Sequence, residues 1–136
     1  MNYTSGDISN LLSATLVGAP DHIISYISID SRSLSAHMPE TIFIALSGNI
    51  VDGHNYVQAA YDLGVRVFLI DKKVELPLGA ITITVNNTMK SLQKWATIHR
   101  LKFDIPVIAI TGSNGKTITK EWLSQLLSKH YNVVRS

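Results

Sequence analysis

The run from Val107 to Thr117, Val-Ile-Ala-Ile-Thr-Gly-Ser-Asn-Gly-Lys-Thr, constrains this chain more than any other stretch. Four residues of strand character, Val107 to Ile110, feed a glycine-rich turn. The turn ends in Gly115-Lys116-Thr117 and opens a helical pattern in which Trp122, Leu123, Leu126 and Leu127 recur on one side. A strand, a glycine-rich turn and a helix in that order build a phosphate cradle. The glycines let backbone N–H groups turn inward, Lys116 neutralises phosphate charge, and the Thr117 hydroxyl can bind Mg²⁺. Such a chain handles a nucleoside triphosphate. The loop is shorter than the standard pattern, since only two residues separate Gly112 from Gly115. A Ser-Asn-Gly turn followed by a chance Gly-Lys-Thr is the bland alternative. The strand before it and the helix after it argue against that alternative.

The remaining sequence alternates strand and helix patterns, which implies a layered α/β fold. Ser5–Leu12 reads as a helix capped by Ser5, and Ile23–Ile29 as a half-buried strand. Asp30–Glu40 is loop-like, Thr41–Leu46 a buried strand, and Ser47–Gly53 a loop. His54–Leu63 reads as a helix stopped by Gly64. Val65–Ile70 and Ala80–Val85 read as strands. Asn87 or Thr88 caps a helix running to about Lys102, with Met89, Leu92, Trp95, Ala96 and His99 on its inner face. Val107–Ile110 reads as a strand, Lys116–His130 as a helix, and Asn132–Val134 as the start of another strand. The expected boundary lies near residue 84. Residues 1–84 form one α/β domain able to fold alone, and residues 85–136 supply a linker helix and the incomplete start of a second domain.

A hydrophobic content of 46% suffices for a core, and there are no cysteines to form disulfides or thiolate metal sites. Nothing resembles a secretory leader or an apolar span. These features lead to the expectation of a cytoplasmic protein without a membrane span. The net charge of +2 hides an asymmetry. Residues 1–80 carry Arg32, Arg66, Lys72 and Lys73 against eight acids; residues 81–136 carry eight bases against Asp104 and Glu121. The basic half holds the phosphate loop, as suits an anionic ligand. No basic stripe is interleaved with aromatic residues, so nucleic acid is not an expected partner.

The loop Thr111-Gly112-Ser113-Asn114-Gly115-Lys116-Thr117 resembles the ATP loop of the Mur ligases, which assemble the peptide of bacterial cell-wall precursors. Lys120-Glu121 after it resembles the MurF branch. In the first half, Asp30-Ser31-Arg32, Ile42-Phe43-Ile44-Ala45-Leu46-Ser47-Gly48 and Asp52-Gly53-His54 resemble the UDP-binding domain of the MurE and MurF branches. The sequence departs from the family pattern in three places. The segment between Arg32 and Phe43 is long, Pro39-Glu40 stands where Gly-Asp is common, and Ile118 replaces a threonine. A similar long segment occurs in MurF-like halves of ligases fused to alanine racemase, which points to a fused parent.

The resemblance implies a three-domain, monomeric enzyme of which this chain is the first part. Residues Thr111 to Thr117 would cradle the ATP phosphates, with Lys116 and Thr117 as catalytic residues and Thr117 as the Mg²⁺ contact. The UDP end of the substrate would meet Asp30, Ser31, Arg32, Ala45, Leu46, Gly48, Asp52 and His54. The reaction implied is ATP-dependent: an acyl phosphate forms on UDP-N-acetylmuramoyl-tripeptide, and the amine of D-alanyl-D-alanine attacks it. The chain alone would not complete that reaction. A MurE-type ligase adding the third amino acid, and a non-enzymatic UDP-sugar-binding module, are the alternatives.

Read without the resemblance, Asp30-Ser31-Arg32 suits an Asx-type turn. Asp52 can equally cap the following helix or position a ligand, and both roles are compatible. His22, His37, His99 and His130 lack metal-ligand spacing, and Trp95 and Trp122 read as core residues.

Overall fold

A computed structural model describes residues 3–34, 37–48 and 51–135 of the chain. It falls into two compact units, one ending at Phe103 and the other starting at Asp104.

In the first unit the order is β1 (Tyr3–Thr4), α1 (Ser5–Leu12), β2 (Thr15–Val17), β3 (Ile23–Ile24), β4 (Tyr26–Ser28), β5 (Thr41–Ile44), α2 (Val57–Asp62), β6 (Val67–Ile70), β7 (Ile81–Thr84) and α3 (Thr88–Leu101). Five strands make one sheet in the order β2-β7-β6-β5-β4. The last four run parallel to one another, and β2 lies antiparallel to β7 at the edge. Strands β1 and β3 form a separate antiparallel pair.

The runs Thr-Ile-Phe-Ile and Val-Phe-Leu-Ile are buried along their whole length because both faces of the sheet are covered. Side chains alternate across a strand, so the two faces separate cleanly. Ile42, Ile44, Val67, Leu69, Ile81 and Ile83 meet Ile8 and Leu12 of α1 and Trp95 of α3. Phe43, Phe68 and Ile70 meet Val57 and Ala60 of α2 on the other face.

Several boundaries move from the sequence expectation. Thr4, not Ser5, caps α1. Its hydroxyl accepts the Asp7 N–H at 3.1 Å, and the Asp7 carboxylate accepts the Thr4 N–H at 2.8 Å. This reciprocal box needs an acid three residues after the cap, which Thr4 has. The Ile23–Ile29 stretch breaks at Ser25, whose N–H binds the Glu40 carbonyl, so β3 and β4 join different sheets. The helix expected from His54 begins as a 3₁₀ turn at Gly53–Tyr56 and becomes α-helical at Val57.

The expected boundary near residue 84 differs from the division observed. Trp95 is 1% exposed within the core of the first unit, so α3 belongs to that unit and not to the second. The stripe of α3 that faces inward is narrower than expected. Leu92, Trp95 and His99 face the unit, whereas Met89 and Ala96 are exposed.

The second unit contains α4 (Lys116–Leu127). The strands expected at Val107–Ile110 and Asn132–Val134 do not form among the described residues, because no neighbouring strand completes their hydrogen-bond ladders. Trp122, expected in a core, is 67% exposed, since its unit offers α4 no sheet face to pack on.

Candidate functional site

The parallel strands gather chemistry at their carboxyl ends, where open α/β sheets present their loops to ligands. Strand β4 leads to Asp30–Arg32, β5 to Ala45–Gly48, and β6 to Asp71–Lys72.

Asp30 holds Arg32 in a fork. Its Oδ1 accepts the Arg32 N–H at 2.9 Å and Nε at 3.0 Å, while Oδ2 accepts Nη2 at 2.7 Å. The turn expected from sequence therefore forms, with Ser31 opening it, and it also aims a guanidinium. The Arg32 side chain remains 88% exposed. The Arg32 side chain, then its N–H, lowers the Asp30 pKa from 3.8 to about 2.

The loop after β5 is pinned at both ends. Buried Ala45 donates its N–H to the Leu69 carbonyl, Leu46 accepts the Gly53 N–H at 2.8 Å, and Gly48 donates to the Val51 carbonyl. Gly53 has to be glycine here. A Cβ at that position would come within 2.7 Å of the Leu46 nitrogen.

Asp52 caps the 3₁₀ turn by accepting the His54 N–H at 3.1 Å. The same Oδ1 lies 2.7 Å from His54 Nδ1, and Oδ2 takes the Lys72 ammonium at 2.5 Å. The Lys72 bond, then the bonds from the His54 ring and N–H, hold the Asp52 carboxyl well below the usual carboxylate range. Nδ1 therefore donates to an ionised acceptor. The other nitrogen of this buried ring accepts the Asp71 N–H at 3.3 Å. Asp71 Oδ2 in turn accepts the N–H and hydroxyl of Thr88 at the start of α3. Among the described residues buried Asp71 Oδ1 has no hydrogen-bond donor, and it lies 3.2 Å from His54 Nε2. The sequence reading missed Asp71 and Lys72. Their signal was an acid and a base directly following four apolar residues at a parallel-strand end.

These lowered carboxyl pKa values predict an acid limb in stability. A carboxyl depressed on folding contributes fully above its unfolded pKa and loses that contribution as pH falls through the folded value. For Asp30 the window runs from 3.8 down to about 2. Urea midpoints should fall across that window, and Asp30→Asn should flatten the decline. An unchanged slope in the variant would remove Asp30 from the account.

The glycine-rich loop expected to hold phosphate stands in the second unit, with Thr111 to Thr117 all exposed. Gly115 caps α4 with φ +78°, and Gly112 has φ +148°, conformations that favour glycine. Among the described residues, and apart from its own chain neighbours, nothing lies within 4 Å of where a Gly115 Cβ would sit, so the space before the helix is open. The first helical bond runs from the Thr119 N–H to the Gly115 carbonyl. The amides ahead of it have no partner within the helix and suit an anion. Lys116 Nζ donates to the Gly112 carbonyl and, at 3.5 Å, to that of Ser113. The ammonium thus spans the loop that bears Ser113 and Asn114. These features fit a nucleotide phosphate, with the Thr117 hydroxyl available to Mg²⁺.

Three of the other four histidines make side-chain contacts within the fold. His22 binds the Pro39 carbonyl, His37 stacks on Tyr26, and His99 binds the Tyr3 hydroxyl. Among the described residues, no helix is long and apolar enough to cross a membrane.

The family description "Mur ligase family, catalytic domain" matches residues 23–131. The chain belongs to the Mur ligase family. Over 134 residues it is 34% identical to the UDP-N-acetylmuramoyl-tripeptide–D-alanyl-D-alanine ligase of Bacillus subtilis, covering 96% of this chain and 28% of that protein. The crystal structure of MurF from Acinetobacter baumannii matches with a TM-score of 0.83 at 27% identity, covering 96% of this chain and 28% of that one. MurF ligase from Thermotoga maritima, solved in complex with ADP, matches with a TM-score of 0.64 at 27% identity, covering 77% of this chain and 23% of that one. This Mur ligase chain therefore spans about a quarter of the length of these relatives.

Proposed function

We propose that this chain forms part of an ATP-dependent ligase that joins D-alanyl-D-alanine to UDP-N-acetylmuramoyl-tripeptide in peptidoglycan synthesis. The observation that carries this reading is the pairing of two residue groups in one chain. A strand-end site with an aimed guanidinium lies in the first unit, and an open, glycine-bounded phosphate loop in the second. The MurF names of the relatives favour D-alanyl-D-alanine over a single amino acid as the incoming group.

In this reading the UDP end of the substrate meets Asp30, Ser31, Arg32, Ala45, Leu46, Gly48 and Asp52. His54 acts behind them by holding Asp52. Residues Thr111 to Thr117 take the ATP phosphates. The γ-phosphoryl group would pass from ATP to the substrate carboxylate, leaving ADP, and the dipeptide amine would then attack the acyl phosphate to form the amide and release inorganic phosphate. Lys116 and the loop amides stabilise the charge that builds on the transferring group. Mg²⁺, held by Thr117, would supply further neutralisation of phosphate charge. Dependence on ATP and a UDP-activated substrate supports a cytoplasmic reaction.

A titration of the 136-residue chain with UDP, followed by amide chemical shifts, tests the first site. Shifts should cluster at residues 30–32 and 43–54. Arg32→Ala should weaken binding about tenfold, the scale of a charge-assisted hydrogen bond. Shifts confined to other parts of the first unit would overturn the assignment.

A further inference from the structure

We propose that Lys72 contacts the phosphate groups of the uridine nucleotide, an assignment that rests on reading the first unit as a UDP site. Residues 1–80 contain only four bases: Arg32, Arg66, Lys72 and Lys73. Arg66 is committed to the fold. Its Nη1 donates to the carbonyls of Tyr61 and Val65, and its guanidinium lies 4.3 Å from the Tyr61 ring centre. It also precedes β6, at the end away from the strand-end loops.

Arg32 and Lys72 are placed differently. They follow the carboxyl ends of β4 and β6, and β5 lies between those strands. The loop after β5 is therefore flanked by one cation on each side, two strand spacings or about 10 Å apart at the sheet. This is the loop whose residues Ala45, Leu46 and Gly48 resemble the family's nucleotide contacts.

Each of the two cations is aimed by a carboxylate, Arg32 by Asp30 and Lys72 by Asp52. Asp52 is itself fixed by the backbone and ring of His54. The His54 ring is buried and uses both nitrogens inside the fold, so it has none left for a ligand. The Lys72 side chain is half-exposed. Its ammonium, with part of the Asp52 carboxylate, reaches solvent beside the loop, and of the two only the ammonium carries a charge that attracts phosphate. A lysine already held in place loses less side-chain freedom on binding than a mobile one. Phosphate oxygens match it because they offer negative charge and acceptors without a donor requirement.

The competing account is an ordinary surface ion pair, which contributes little to stability and nothing to recognition. Ligands that differ only in phosphate separate the two. Affinities for UDP and for uridine would be measured by chemical-shift titration of the 136-residue chain, as wild type, Lys72→Met and Lys72→Arg. Lys72→Met should weaken UDP about tenfold and leave uridine unchanged within about twofold. Lys72→Arg should retain most of the UDP affinity. Raising KCl should weaken UDP binding more steeply in the wild type than in Lys72→Met. Equal UDP affinity in wild type and Lys72→Met would overturn the assignment while leaving the nucleotide site intact. Parallel loss of UDP and uridine would also overturn it, by marking a structural effect. A wild-type chain that binds neither ligand would overturn the nucleotide site and the Lys72 assignment together.

Discussion

If the chain is part of the ligase proposed above, replacing Lys116 with Ala in that ligase is expected to slow ligation by at least about 10²-fold, with UDP affinity unchanged within about twofold. The charge of Lys116 lies across the phosphate loop, on the Gly112 and Ser113 carbonyls, at the start of α4. In the proposed reaction it is needed where phosphate oxygens gather negative charge during transfer. The strand-end groups of the proposed UDP site belong to the other compact unit. Loss of the lysine should therefore act on the chemical step and spare substrate capture. Phosphate release under saturating substrate measures the first effect, and UDP titration the second. A variant that ligates at the normal rate would remove this loop from the ATP site. Thr117→Ala should also slow the reaction, and added Mg²⁺ should restore part of the rate if the hydroxyl acts through the metal.

What the sequence made legible follows from which forces are local. The buried strands β5 and β6 were readable because four consecutive apolar residues have few alternatives when both faces are covered. The Asp30 turn and the Asp52 cap were readable because each is closed by bonds to residues two positions away. The glycine turn and the helix start after it were readable because glycines at positive φ and a helix start leave a fixed spacing. The missed features depend on residues distant in sequence. Strand β2 is defined by pairing with β7, nearly seventy positions later. Asp71 and Lys72 gain meaning only when β6 sets them beside Asp52 and His54. The strand expected at Val107–Ile110 shows the converse: a strong local pattern makes no ladder without a partner.

The same dependence on distant partners governs α3. Its pattern suggested a linker, yet Trp95 supplies the largest fully buried side chain of the first unit. Tyr3 packs edge-on against its ring at 5.5 Å, and the Tyr3 hydroxyl binds His99 one turn later. Trp95→Ala should therefore cost about 3–5 kcal/mol, the range for truncating a buried aromatic residue. That is a large part of the roughly 5–15 kcal/mol that holds an ordinary domain together. Trp95→Phe should cost less, because it keeps most of the volume and removes an indole N–H that is buried without a partner among the described residues. Urea unfolding followed by far-UV circular dichroism measures both. The core position of α3 also sets where the first unit can be cut. Residues 1–103 should unfold cooperatively, whereas residues 1–84, lacking α3, should not. An unchanged midpoint in Trp95→Ala, or equal cooperativity in the two lengths, would mean that α3 is dispensable to this core.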